Sequence, residues 1–185
     1  MSCIPDGFKA MVPAILILTL AWTLKSMTDS LGAKEFVSSF VQTYASGMLN
    51  FLPAIVFVIG AFLAFSTGTS WGTFGILIPI VVAVFNGSDY NLMIISISAC
   101  MAGAVCGDHC SPISDTTIMA SAGAQCNHVN HVSTQLPYAI TVAAISFVTY
   151  VVAGFVRTAF IALPVGIVLT IGTLLVLRKI YGKEE

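Results

Sequence analysis

Residues 107–117 have the sequence Gly-Asp-His-Cys-Ser-Pro-Ile-Ser-Asp-Thr-Thr, and strongly apolar sequence flanks them on both sides. The segment contains Asp108 and Asp115, although only 8% of the 185 residues are charged. A carboxylate in such surroundings is costly unless it binds a cation or exchanges a proton, so the segment is a candidate functional site. The alternative is a polar loop with both carboxylates in water, which the apolar flanks disfavour.

The composition predicts an integral membrane protein. Hydrophobic residues make up 57% of the chain, and the mean hydropathy is +0.98. No Asp, Glu, Lys or Arg occurs between Glu35 and Asp89 or between Asp115 and Arg157. A soluble domain needs a charged surface, so we expect one all-α transmembrane domain over residues 1–185. The 7 basic residues form no stripe, and nucleic-acid binding is not indicated.

Several apolar stretches predict membrane helices, and the total is five to seven transmembrane segments. Residues 33–45 have helical amphipathic spacing, which predicts a short helix at the membrane interface. The basic C-terminus, with Arg178, Lys179 and Lys183, favours a cytoplasmic position for this end of the chain. We expect a multi-pass protein of the cytoplasmic membrane. The predicted spans are residues 8–27, 49–65, 90–105, 136–155 and 160–177.

Two polar segments interrupt this apolar pattern. Residues 66–73 precede the short apolar segment 74–85, and residues 107–117 precede the short segment 118–124. A helix, a polar break with Gly or Pro and a second short helix are typical of a discontinuous or re-entrant membrane helix. Such backbone is tolerated only where protein buries it or it lines a cavity. A plain loop is the alternative for the first break, but two breaks in one chain indicate a transporter binding site.

The two breaks supply the ligands that a sodium ion prefers. Na⁺ binds hard oxygen ligands without directional preference, and interrupted helices add unpaired carbonyl groups. Burial disfavours the charged form of a carboxyl group, so Na⁺ and H⁺ would compete for it. Both are transported ions, and no cofactor is expected. The predicted ion-binding and proton-exchange residues are Asp108, Ser111, Ser114, Asp115, Thr116 and Thr117, with Thr67, Thr69, Ser70 and Thr73 from the other break and His109 as a possible tuner of proton affinity.

A zinc site is the chief rival interpretation. Cys, Asp and His side chains are frequent around the second break, but their spacings match neither C-x-x-C pairs nor H-E-x-x-H. Ser111 lies near His109 in sequence, yet no Gly-x-Ser-x-Gly elbow supports a serine hydrolase. His128 and His131 are expected to be polar surface residues that could respond to pH. An odd number of cysteines, 5, argues against a disulfide framework.

Residues 107–117 resemble the signature segment of the NhaC-type sodium/proton antiporter family. The similarity extends over nearly the whole chain. It includes residues 121–128 (Ser-Ala-Gly-Ala-Gln-Cys-Asn-His), 131–138 (His-Val-Ser-Thr-Gln-Leu-Pro-Tyr), 68–73 (Gly-Thr-Ser-Trp-Gly-Thr) and 20–22 (Leu-Ala-Trp). The resemblance implies exchange of sodium for protons, or sodium-coupled exchange of small organic acids such as malate and lactate, rather than an enzymatic reaction.

The resemblance also has consequences for architecture. Related transporters are built from two inverted repeats, each with a broken helix near the membrane midplane. Members of the family are more than twice as long, and this chain resembles their C-terminal half. It would then be one repeat or a truncated, non-transporting fragment, which could bind an ion but lacks the opposite gate. The expected partners are the lipid bilayer, Na⁺, H⁺, and an N-terminal half or a second copy of the chain.

Overall fold

The computed structural model describes residues 48–85 and 89–181 and, before them, only isolated positions between residues 5 and 31. The predicted span 8–27 and the amphipathic segment 33–45 therefore lie outside the continuously described part of the chain.

The described part consists of helices and short connections, without β-strands. Four stretches are long and apolar enough to cross a membrane: Leu49–Thr67, Tyr90–Cys110, His128–Val156 and Ala159–Ile180. The prediction of an all-α membrane protein is confirmed, while the count of five to seven segments concerns the whole chain and stays a prediction. After a 3-10 turn at Leu49–Phe51, the helices are α1 (Leu52–Thr67), α2 (Ser70–Phe85), α3 (Tyr90–Cys110), α4 (Asp115–Gly123), α5 (His128–Val156) and α6 (Ala159–Tyr181).

Helices α1 and α3 are parallel and touch through their backbones. A Cβ atom at Gly103 would collide with the carbonyl of Phe57, and one at Gly107 would collide with the carbonyl of Ala61. The contact advances by four residues along both helices in the same direction. Small residues four apart allow this close approach between membrane helices, so the two glycines determine how tightly α1 and α3 pack.

Helix α2 runs back alongside α1 and α3. Its first residue, Ser70, contacts Asp108 near the end of α3, whereas its last residue, Phe85, lies a short connection before the start of α3. Helices α1 and α2 therefore form a hairpin whose tip is the first polar break, while a discontinuous membrane helix stays a prediction. The buried apolar cluster between these helices contains Val56, Leu77, Val81, Val84, Phe85, Leu92 and Cys100.

The end of the bundle opposite the two breaks is fastened by a polar cluster around Arg157. Its guanidinium donates to Asp89 Oδ2 at 2.8 Å and to Asn50 Oδ1 at 2.9 Å. The other carboxylate oxygen of Asp89 caps α3 by accepting from the Leu92 N–H at 3.1 Å. These bonds join the beginnings of α1 and α3 to the end of α5, which consequently runs antiparallel to both.

Two boundaries predicted from the sequence are wrong. Helix α3 does not stop at residue 105 but continues to Cys110. It ends there because Pro112 disfavours helical conformation at Ser111, whose backbone is extended with φ −79° and ψ 128°. Helix α5 begins at His128 and is capped by the Asn127 side chain, which accepts from Asn130 N–H at 3.1 Å. Residues 128–135, which precede the predicted span 136–155, are therefore helical as well.

Candidate ion-binding site

Buried polar residues are concentrated where the two breaks meet. Among the described residues, 8 polar or charged side chains are buried, and only Ser96 and Ser121 are not predicted site residues. Burial of a polar group is costly unless it gains a partner, so such a concentration is unexpected for a purely structural junction. The six others, called the polar junction below, are Ser70, Thr73, Asp108, Ser111, Ser114 and Thr117.

Asp108 is the charged member of the polar junction and is only 2% exposed. The Ser70 hydroxyl, at the start of α2, donates to Asp108 Oδ2 at 3.3 Å. The other carboxylate oxygen of Asp108, Oδ1, is buried and has no hydrogen-bond partner among the described residues. The same is true of Ser111 Oγ. A buried carboxylate oxygen and a buried hydroxyl that both lack partners are incomplete arrangements that a cation or a proton would complete.

The tips of the two breaks are in direct contact. Gly68, between α1 and α2, has a left-handed backbone with φ +68°, and a Cβ atom there would lie 2.9 Å from both Cγ1 and the carbonyl oxygen of Ile113. Ile113 lies in the loop between α3 and α4. The two breaks therefore face each other in the folded chain. They can approach this closely because Gly68 has no side chain.

The loop between α3 and α4 is a tight turn ordered by its own backbone. Ser111 N–H donates to Asp108 O at 3.0 Å, and Ser114 N–H donates to Ser111 O at 3.3 Å. The Ser114 and Thr116 hydroxyls are bonded to each other at 2.7 Å, and the Thr117 hydroxyl donates to the His109 carbonyl at 3.5 Å. The hydroxyl groups of the motif are thus directed partly to one another and partly to the end of α3.

The remaining predicted site residues occupy less buried positions. Asp115 and Thr116 are exposed in the first turn of α4, and Thr67 is exposed at the end of α1. The Thr67 hydroxyl donates to Leu63 O at 2.8 Å. Thr69 is half-buried, and its carbonyl accepts from the Thr73 hydroxyl at 3.0 Å. The structure therefore separates the two aspartates by environment, which their similar sequence surroundings did not predict.

Three polar side chains near the polar junction were not predicted as site residues, namely Gln135, His128 and Ser121. Gln135 Nε2 donates to His109 O at 3.3 Å from α5. His128 contacts Pro112 in the loop and Ser121 in α4. His128 is half-buried, and both its ring nitrogens are engaged. No local sequence signal could have revealed these contacts, since each joins residues that are separated along the chain.

The rival interpretations gain no support from these side chains. No group of three or more His, Cys, Asp or Glu side chains that could hold a metal ion occurs in the described part of the chain. Cys100, Cys106, Cys110 and Cys126 are free. His109 Nδ1 is 2.9 Å from the Val105 carbonyl, to which it donates, and is not bonded to Ser111. A serine–histidine pair of the kind that activates a nucleophile is thus absent between these two residues.

Two cavities adjoin α3, α5 and the neighbouring helices. The larger, about 940 Å³, lies between α1, α3 and α5 and reaches His109 and Gln135 at one end. The smaller, about 580 Å³, lies between α3, α5 and α6. Apolar side chains dominate both linings, and neither lining includes a lysine or an arginine.

The fold defines a multi-pass membrane protein with a buried carboxylate where two helix breaks meet. Residues 1–155 match the Na⁺/H⁺ antiporter family, and the chain belongs to this family. This result confirms the resemblance seen in the motifs. No solved structure matches the chain at a significant level.

Three relatives illustrate the range of the family. An uncharacterised Haemophilus influenzae protein is 52% identical over 149 residues, covering 80% of this chain and 28% of the relative. A second protein of that organism, an uncharacterised Na⁺/H⁺ antiporter, is 31% identical and covers 83% of this chain and 32% of the relative. The malate-2H⁺/Na⁺-lactate antiporter of Bacillus subtilis is 33% identical, covering 53% of this chain and 21% of the relative. The aligned segment is thus less than a third of each relative's length.

Proposed function

We propose that the protein exchanges Na⁺ for H⁺ across the cytoplasmic membrane and that Asp108 is the exchange carboxylate. The observation that supports this most directly is the buried Asp108 Oδ1, which has no hydrogen-bond partner in the described part of the chain and belongs to the same polar junction as Ser111, whose hydroxyl has none there either. Membership of the Na⁺/H⁺ antiporter family supports Na⁺ and H⁺ as the two exchanged ions. Na⁺ and H⁺ are the substrates, and no resident cofactor is required.

The chemistry of the polar junction suits competition between the two cations. A sodium ion at Asp108 would take hard oxygen ligands from the carboxylate, the Ser111 hydroxyl and carbonyl groups left unpaired at the end of α3. The negative end of the α3 dipole favours a cation there. Protonation of Asp108 removes the charge that holds the ion, so each cation displaces the other. Exchange follows if access to the site alternates between the two sides of the membrane.

Alternating access is proposed to need more than the described helices. The polar junction lies at one end of α1, α3 and α5, with the Arg157 cluster at the other. A second repeat, supplied by an N-terminal half or by a second copy of this chain, would provide the opposite gate. Asp115, exposed in the first turn of α4, then becomes a candidate for the surface that this repeat contacts.

Sodium-coupled organic-acid exchange is the second candidate, because one relative is a malate-2H⁺/Na⁺-lactate antiporter. A dicarboxylate needs cationic or other strong hydrogen-bond donors, and Arg is the usual choice for planar carboxylates. No lysine or arginine lines either cavity formed by the described helices. We therefore favour the cation-only exchange.

Equilibrium binding of radioactive Na⁺ to the purified chain in detergent tests the site without requiring transport. We expect saturable binding that weakens as the pH falls, and a loss of about a hundredfold in affinity for Asp108→Asn, the value of a charge-assisted contact of about 3 kcal/mol. Asp115→Asn is the matched control and should change the affinity less than threefold, because an exposed carboxylate interacts weakly. Unchanged binding in Asp108→Asn would contradict the proposal.

Everted vesicles distinguish the two transport candidates. With cells that lack their own antiporters, Na⁺ addition should move protons without any organic acid, and Asp108→Asn should abolish the movement. The chain is expressed alone and together with an N-terminal half. Proton movement that appears only after malate or lactate is added would support the organic-acid exchanger instead.

A further inference from the structure

His128 bridges the loop of the polar junction and the helix that follows it. It is the first residue of α5. Its Nε2 lies 2.7 Å from the Pro112 carbonyl oxygen, and its Nδ1 lies 3.0 Å from the Ser121 hydroxyl in α4. Ser121 is only 3% exposed, and its contact with the half-buried His128 is partly buried. One side chain thus connects α4, α5 and the turn that ends α3.

The Pro112 carbonyl is the group through which His128 can position the whole loop. The preceding residue, Ser111, has the unpartnered hydroxyl of the polar junction. The following residue, Ile113, packs against Gly68 at the tip of the other break. Because Pro112 has no N–H of its own, its carbonyl is the only backbone group with which it can be held. Holding this carbonyl therefore fixes the distance between Ser111 and the facing hairpin.

The hydrogen bonds around His128 can all form together only when the ring is protonated. The Pro112 carbonyl can only accept, so Nε2 donates to it. The Ser121 hydroxyl donates its one proton to Ile118 O at 2.9 Å, so Nδ1 must donate to Ser121 as well. An imidazolium donates from both nitrogens, whereas neutral imidazole donates from one. In the neutral ring, Ser121 must give up its bond to Ile118 to keep the one to His128.

From this proton count we infer that His128 is a positioning residue of the ion site: its protonated form holds the loop of residues 111–114 against α4 with a charge-assisted hydrogen bond, and its neutral form holds the loop more weakly. The consequence for sodium binding rests on the proposed function, but the change in the loop does not. The protein would thereby sense pH at a residue separate from the exchange carboxylate.

Other titratable groups lie on the elements around His128. No hydrogen bond joins any of them to the His128 ring in the described part of the chain. Helices α1 and α2 contain no titratable side chain. The groups on neighbouring elements are Asp108, His109 and Cys110 of α3, Asp115 of α4, Cys126 in the connection, His131 of α5, and Arg178 and Lys179 in the last turn of α6.

Hydrogen–deuterium exchange of the purified full chain tests the inference directly. The reporters are the Ser114 and Ile118 amides, which donate to Ser111 O and Ser114 O. Protection factors, corrected for the intrinsic exchange rate at each pH, are compared between pH 5 and 8, the range in which histidine changes charge. We expect protection to fall about tenfold as the pH rises, as for the loss of one charge-assisted hydrogen bond.

Two substitutions identify the residue responsible. His128→Gln keeps a neutral donor for Pro112 and should remove the pH dependence, whereas His131→Gln, one turn further along α5, should behave as the wild type. Wild-type protection that is independent of pH would overturn the inference even if His128→Gln failed to fold. So would an equal loss of pH dependence in His131→Gln.

Sodium binding to the same samples separates this inference from the proposed function. His128→Gln should still bind Na⁺ but with a shifted pH profile. A loop that responds to pH in a protein that binds no Na⁺ would refute the proposed function and leave the positioning role of His128 standing. Sodium binding with the same pH profile in wild type and His128→Gln would refute the role of His128 and leave the ion site standing.

Discussion

Replacement of Gly68 by alanine tests whether the two breaks really face each other. Two costs add at this position. An L-residue in the left-handed backbone conformation, here φ +68°, costs about 1 kcal/mol or more. The new Cβ would also lie 2.9 Å from the carbonyl oxygen of Ile113, which is backbone and cannot rotate away, and such overpacking costs about 1 to 3 kcal/mol. We expect a total loss of about 2 to 4 kcal/mol in the free energy of unfolding.

The assay is SDS-induced unfolding of the purified chain, combined with Na⁺ binding. Gly172→Ala in α6 is the matched control, since its added Cβ would meet no other element of the described chain within 4 Å, and alanine is the better helix former by about 1 kcal/mol. Gly68→Ala should be less stable than the wild type and bind Na⁺ at least about tenfold more weakly, because Ile113 moves the neighbouring Ser111. If Gly68→Ala unfolds and binds like Gly172→Ala, the contact between the breaks is not what holds the junction together.

Two further predictions concern packing and metal ions. Gly107→Ala forces a Cβ against the Ala61 carbonyl and must separate α1 from α3. Its thermal unfolding midpoint should therefore fall below that of Gly172→Ala by the equivalent of about 1 to 3 kcal/mol. An unchanged midpoint would contradict the backbone contact. Chelator treatment should leave the midpoint unchanged, because the described helices assemble no group of metal-binding side chains; a midpoint that fell and recovered with zinc would restore the zinc interpretation.

The predicted site residues stay a prediction, but the structure shows which of them are buried together. Asp108 and Ser111 were identified because a carboxylate and a hydroxyl near Pro112 are unusual within apolar sequence. Asp115 was predicted on the same grounds, yet it is exposed in the first turn of α4. Local composition could not distinguish the two aspartates, because burial depends on which neighbouring helix covers each one. Ser70 covers Asp108 from α2, 38 positions away along the chain.

His128 is a second residue whose surroundings could not be predicted from local sequence. As one of two histidines in a polar stretch, it has no property in the sequence that separates it from His131. Its role depends on two bonds, to a carbonyl 16 positions away and to a hydroxyl 7 positions away. Hydrogen bonds of this kind are determined by how helices end and turn, which no periodicity encodes.

The sequence by itself determined the class of protein, because apolar composition leaves helices as the structure that satisfies backbone groups within lipid. It also determined where the helices break, because Gly68 and Pro112 act through their own backbone geometry. Only the tertiary structure decided that the breaks meet. Parallel packing of α1 and α3 through Gly103 and Gly107 aligns their ends, and Asp108 is buried there with one oxygen that has no hydrogen-bond partner among the described residues.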